Sequence, residues 1–331
     1  MSNINHPVRA GRGSRKVSVL VVAAVALSAV TAVSAAAASK HSDSATFEKR
    51  VNIGEGRSMY IECRGHGKPT VLLISGSGTA SDLWHAADQK GPKVYPTIGK
   101  QTRTCAYDRP GAPHLTGELS RSDPMPQPTS SVSGADDLTA LVKAAKVTGP
   151  YVLVAHSFGG NIARVFAADH PGQVKGIVFL DILTPELRAQ MTSEQWSTWT
   201  MANARQPKDL KAYPQIERQD FNESLDQVEA VAPLRPMPLV VLTASVKYKG
   251  LVPKLIDQGV LPTSVPRDFG TVIDRTNAAA QNELAALVPG AVHITNTKSG
   301  HNIMVDNAPV TIRAIEMVLK AVRAGKTSLR R

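Results

Sequence analysis

Apolar residues gather along this chain in short, compact runs, and between the runs they recur at helical intervals. Val71-Leu72-Leu73-Ile74 has no polar interruption, which suits a strand covered on both faces of a parallel sheet. Thr102 to Tyr107, Tyr151 to Ala155, Gly176 to Leu180, Leu239 to Leu242 and Val292 to Thr295 are further strand candidates. The first run closes on Ser75-Gly76-Ser77-Gly78 and the second on Asp108-Arg109-Pro110-Gly111, both rich in turn formers. Upstream, Thr46 to Cys63 reads as a hairpin around Gly54-Glu55-Gly56, with alternation from Met59 to Cys63. Helical spacing marks Ser81 to Ala87, Asp136 to Ala145, Asn161 to Ala168 and an amphipathic last helix from Val310 to Val322. In the second of these, Leu138, Leu141, Val142 and Ala145 share one face. Strand and helix therefore alternate, and the predicted class is α/β, a mostly parallel sheet with helices on both faces.

The alternation fails between Thr184 and Pro236, where roughly fifty residues separate two strands that a simple crossover would join with far fewer. An inserted lid over about 184–236 is expected there. It carries Met191, Trp196, Trp199 and Met201, which either line an apolar pocket or pack the lid onto the body. The proline- and serine-rich stretch from Ser120 to Ser131 is a loop, either a connector or part of the mouth of a site.

Charge and length refine this picture. Residues 1–38 place Arg9, Arg12, Arg15 and Lys16 before the apolar run Val17 to Val33 and the small residues Ser34 to Ala38, the layout of a secretory signal. An A-x-A site ending at Ala37 or Ala38 favours cleavage, and only a retained run would bind the chain to a membrane. The expected localisation is secreted or cell-envelope. The rest, 39–331, is a length that one catalytic domain with its lid can use fully. Of the net charge of +11, four cations belong to the leader. Lys320, Arg323, Lys326, Arg330 and Arg331 form a basic tail with no interleaved aromatic residue, a solvated helix end rather than a nucleic-acid site. No metal is implied, because neither Cys63 nor Cys105 has a second close ligand and no two histidines stand at ligand spacing. Oligomeric state is not encoded in any pattern of this kind.

The chemistry centres on Ala155-His156-Ser157-Phe158-Gly159-Gly160, where a strand stops and a helix begins. A serine at such an elbow takes a strained backbone, and small residues two before and two after it, here Ala155 and Gly159, let strand and helix pass closely. A serine hydroxyl needs an imidazole to take its proton and a carboxylate to hold that imidazole. His301, in the turn Ser299-Gly300-His301-Asn302-Ile303 after the last strand candidate, is the base candidate. His293 lies inside a strand, His170 ends a helix and His156 points elsewhere. The acid is more open: Thr243-Ala244-Ser245-Val246-Lys247 offers no carboxylate after the strand Leu239 to Leu242, whereas Asp181 ends the preceding one. Asp181 is the leading candidate, with an N-cap or a lid anchor as its plain structural role and Asp257 and Asp268 as rivals. The Phe158 amide at a helix N-terminus and the Ser77 amide in the glycine turn are the oxyanion-hole candidates.

Across most of residues 46–325 the chain resembles the α/β-hydrolase superfamily, of the exported esterase and lipase-like kind. Pro69-Thr70-Val71-Leu72-Leu73, Tyr107-Asp108-Arg109-Pro110-Gly111, Gly149-Pro150-Tyr151 through Ser157, and Ser299-Gly300-His301 carry the resemblance in order and spacing. It implies an eight-stranded sheet with a helical lid. It makes Asp108 part of a structural turn and supports Asp181, since a subset of such proteins places the acid after this strand. It also puts the second and fourth strands side by side, so that a Cys63–Cys105 disulfide is expected. Alanine at position 155 and serine at position 75 depart from the residues usual in such proteins, glycine and histidine, without removing a reacting group. The implied activity is hydrolysis of a small-molecule carboxylic ester or related acyl substrate through Ser157, with no metal or organic cofactor. The same residues also serve amide, lactone or carbon–carbon bond hydrolysis, and a non-catalytic ligand-binding protein is the alternative of a different class. Relatives that cleave epoxides or carbon–halogen bonds use aspartate where this chain has Ser157.

Overall fold

The computed structural model describes residues 47–87, 91–204 and 207–330. The expected leader, 1–38, lies outside them.

The chain opens with an antiparallel hairpin, β1 (Phe47–Gly54) and β2 (Arg57–Arg64). Six strands follow, β3 (Thr70–Ile74), β4 (Thr104–Tyr107), β5 (Tyr151–His156), β6 (Val174–Leu180), β7 (Leu239–Leu242) and β8 (Val292–Ile294). They form one eight-stranded sheet in the order β1-β2-β4-β3-β5-β6-β7-β8, parallel from β4 through β8.

The continuous apolar runs read from the sequence are explained by two cores, one on each face. Leu72, Leu153, Phe179 and Val241 point to one side, where they meet α2 (Ser131–Ala144), α3 (Gly159–Asp169) and other helices. Val71, Val152, Val178 and Val240 point to the other, against α1 (Val94–Ile98) and α11 (Ala308–Arg323). Because alternate residues bury on opposite faces, the middles of β3, β5, β6 and β7 are apolar throughout. Each large side chain so buried contributes roughly 2 kcal/mol.

Local differences from the sequence reading have simple causes. The helix expected at Ser81 to Ala87 is a short 3₁₀ turn, Ser81–His85. α2 begins five residues before its expected start at Asp136, because Ser130 caps it by accepting from Ser133 N–H while Ser133 answers the Ser130 backbone. Between β6 and β7 the chain forms α4 (Pro185–Ala189), α5 (Ser193–Asn203), α6 (Pro207–Ala212) and α7 (Phe221–Ala230). Two helices after β7, α8 (Val252–Asp257) and the long α9 (Phe269–Ala286), were absent from the sequence reading. A single turn, α10 (Ile303–Asp306), leads into α11. Cys63 and Cys105 face each other across β2 and β4 with Cα atoms 4.1 Å apart, and they form the expected disulfide.

Candidate active site

β5, β6 and β8 run parallel, so the segments that leave their C-terminal ends lie along one edge of the sheet. Ser157 follows β5, Asp181 follows β6, and His301 lies in the turn after β8. All three line one cavity of about 570 Å³.

Ser157 has φ 51° and Asp181 φ 44°, the left-handed region that non-glycine residues seldom occupy. Strain of this kind persists only where the surroundings hold it, and here it falls on two adjacent strand ends. At the elbow, Ser157 N–H donates to Leu180 O at 3.1 Å and Leu183 N–H to Ser157 O at 3.2 Å. A side chain at Gly159 would place its Cβ 2.6 Å from the carbonyl oxygens of both Ile74 and Ser75, so only glycine lets α3 pass β3 this closely. Gly76 is equally constrained: a Cβ there would lie 2.8 Å from Ser157 Cβ. The glycine turn after β3 thus touches the serine directly.

His301 Nδ1 donates to Asp181 Oδ2 at 2.7 Å. The other carboxylate oxygen accepts from Ala244 N–H and from Asn277 Nδ2, each at 3.1 Å. Asp181 is buried, and these bonds replace the water it has lost. Ala244 lies just past β7, in the segment with no carboxylate of its own, so that strand contributes a backbone donor to the acid of its neighbour. Asp257 is instead paired with Arg267 at 2.7 Å on the surface, and Asp268 precedes α9 as its N-cap.

His156 is fully buried beside the serine, with its ring 4.5 Å from the His301 ring. Burial first, then the neighbouring His301, hold its pKa well below the usual histidine range, so the ring is neutral at pH 7. Its Nε2–H donates to His301 O at 3.1 Å, bracing the turn that carries His301. Among the described residues, no group accepts from Ser77 N–H or from Phe158 N–H. Both residues line the cavity, and Phe158 stands at the start of α3, where backbone N–H groups lack helical partners.

The apolar wall comes largely from the segment between β6 and β7. Trp199 stacks on Trp196 with centroids 4.8 Å apart and meets Phe221 edge-on at 5.2 Å. Trp199, Phe221, Leu187 and Met201 line the cavity, whereas Trp196 and Met191 pack against the core. Pro128 places the proline-rich loop at the cavity too. Sequence reading missed Asn277, Gln219 and Glu217. None has a local signal, because each acts on a partner far away in the chain.

A family model described as an alpha/beta hydrolase fold matches residues 69–260. The chain belongs to the α/β-hydrolase family. This α/β-hydrolase is 37% identical over 144 residues to an uncharacterised protein of Schizosaccharomyces pombe, covering 37% of this chain and 26% of that one. It is 30% identical over 134 residues to the uncharacterised protein YbdG of Bacillus subtilis, covering 40% and 37% respectively. The chain thus spans about a quarter to two fifths of the length of these curated relatives. Among solved structures, an Acinetobacter baumannii protein named as a lipase has a TM-score of 0.54 at 17% identity, over 85% of this chain and 93% of that one. A Salmonella enterica protein named as an acyltransferase has a TM-score of 0.55 at 17% identity, over 84% and 96%. At such identity the likeness is one of fold.

Proposed function

We propose that this α/β-hydrolase is a serine hydrolase that cleaves a carboxylic ester or related acyl compound through an acyl-enzyme on Ser157. The observation that carries this reading is the 2.7 Å bond from His301 Nδ1 to Asp181 Oδ2, on the wall of the cavity that Ser157 lines. With Nδ1–H committed to the carboxylate, Nε2 is the ring nitrogen left to accept a proton. That nitrogen takes the hydroxyl proton as Ser157 Oγ attacks the substrate carbonyl carbon. The carbonyl electron pair moves onto oxygen, where the Ser77 and Phe158 amides receive it. Collapse expels the alcohol, which leaves with the proton from His301, and the acyl group stays on Ser157. Water, deprotonated by the same nitrogen, then attacks the acyl carbon and releases the acid.

The aromatic and aliphatic wall of Leu187, Trp199, Phe221 and Ile273 suits an apolar group on the substrate. The disulfide agrees with the secretory layout of residues 1–38 and with maturation in an oxidising compartment. A fluorophosphonate probe tests the reading. It should label the purified protein at Ser157 and leave Ser157→Ala unlabelled, while short p-nitrophenyl esters are turned over by the parent and not by the variant. Labelling that persists in Ser157→Ala, or tight ligand binding without turnover by the parent, would sink it.

A further inference from the structure

The glycine turn after β3 is held from behind by a buried ion pair that spans two parts of the chain. Arg109, just past β4, donates from Nη1 to Ser75 O at 2.6 Å and from Nη2 to Gly76 O at 2.5 Å. Its Nε donates to Glu217 Oε1 at 2.6 Å. Glu217 belongs to the segment between α6 and α7, and its Oε2 accepts from Gly78 N–H at 2.7 Å. Arg109 is 5% exposed and Glu217 is 1% exposed. Two charges this deeply buried are stable only when nearly every donor and acceptor is matched, as here. The Glu217 backbone is fixed as well, since its N–H donates to Gly111 O at 2.9 Å.

The geometry of one peptide unit gives this clamp its meaning. Gly76 C=O and Ser77 N–H belong to the same planar peptide group, in which oxygen and hydrogen point opposite ways. Gripping the Gly76 oxygen from behind therefore aims the Ser77 N–H away from Arg109. The next amide, Gly78 N–H, is turned to Glu217. One carboxylate thus steadies the turn on both sides of Ser77, directly at Gly78 and through Arg109 at Gly76. A free guanidinium would have to choose among its acceptors, whereas Glu217 fixes the plane of the fork.

We propose that Glu217 is a positioning residue for the oxyanion hole: through Arg109 and Gly78 it sets the direction of the Ser77 amide. This rests on the reading of Ser157 as nucleophile. It gives the insertion a part in transition-state stabilisation as well as in covering the cavity.

The test compares Glu217→Gln, which retains an acceptor for Gly78 N–H but not the charge that orders Arg109, with the parent. With a p-nitrophenyl ester, kcat should fall by about 10-fold to 100-fold, below the loss of a whole oxyanion donor, with KM nearly unchanged. An arylboronic acid, which forms a tetrahedral adduct on the serine, should lose affinity by a similar factor. Arg109→Lys retains the charge that pairs with Glu217 but loses the fork, and it should show the same pattern if Glu217→Gln folds poorly. Gln127→Ala, which removes the acceptor for Arg218 N–H at 2.8 Å and so loosens the backbone beside Glu217 without touching its carboxylate, should leave kcat and boronate affinity at the parent level. A rise in KM at constant kcat in Glu217→Gln, or equal effects in Gln127→Ala, would overturn the proposal and leave Glu217 as an anchor alone. Those outcomes require a parent that is labelled at Ser157. A parent that is not labelled would instead remove the underlying reading.

Discussion

Two buried carboxylates in this protein each hold a histidine, and their surroundings differ in an instructive way. Asp108 follows β4 and bonds His114 Nε2 at 2.9 Å, while Asp181 follows β6 and bonds His301 Nδ1 at 2.7 Å. Around Asp108 the charges multiply: Arg121 donates from Nε at 2.7 Å and from Nη2 at 3.0 Å, and Asp82 stands 3.5 Å from the other nitrogen of His114. Hydrogen bonds to Asp108 and then Asp82, acting against partial burial, push His114 up to about 9. Burial alone would raise Asp108, but its bonds from His114 and Arg121 outweigh that and hold it far below the usual carboxylate range. Such a histidine keeps both protons at neutral pH and cannot accept another. Around Asp181 the additional donors are two neutral amides, Ala244 N–H and Asn277 Nδ2. His301 meets one carboxylate rather than two, and among the described residues its Nε2 has no partner. A carboxylate and an imidazole become a base only where the second nitrogen is left uncommitted; flanked by two carboxylates, the ring becomes a cationic cross-link.

Breaking each pair should separate these roles. Asp181→Asn should lower kcat by about 10⁴-fold while the melting temperature changes little, because an amide in that place favours the wrong tautomer of His301. Turnover of a p-nitrophenyl ester, with thermal melting as the control, checks this. Asp108→Asn should do the reverse, costing about 3 kcal/mol of stability by leaving Arg121 without its carboxylate and His114 with Asp82 alone. Urea unfolding would register that loss, and the folded fraction should keep the parent kcat.

The pH dependence sharpens the contrast. His114 has a raised pKa in the folded state, so its contribution is complete below about 6.5, the unfolded value, and is lost as pH rises through about 9. Relative to His114→Gln, the parent should lose roughly 2 kcal/mol over that window, a figure reduced from the full linkage value because the ring is partly exposed. Parallel loss in parent and variant would show that His114 is not the titrating group. The smallest effect belongs to Asn277→Ala, which removes one of the neutral donors to Asp181 and should lower kcat by about tenfold with KM nearly constant.

The parallel strands were legible in the sequence because burial on both faces leaves only apolar side chains in runs such as Val71 to Ile74. The elbow was legible because its chain reversal demands small residues at fixed offsets from Ser157. α9 was not. Its buried positions Phe269, Gly270, Ile273, Thr276, Ala280, Gln281 and Leu284 have helical spacing, but more than half of them are polar or small, so the apolar stripe fades. The polar members are the ones that matter at the site's edge: Gln281 Nε2 donates to Ile182 O at 2.8 Å, next to the residue that Asn277 supports. Glu217 was hidden for another reason, since its meaning lies in Arg109, 108 positions away. Side chains that work by supporting others far along the chain leave no local pattern.

The bond between Cys63 and Cys105 closes a covalent ring across a sequence separation of 42 residues, and that ring contains β3 and the turn at Gly76 and Ser77. Protein produced in a reducing cytosol would hold every side chain of the cavity while lacking this tether. Its resistance to heat would then record the redox history of the sample, even where its composition and its sequence gave no hint of any difference.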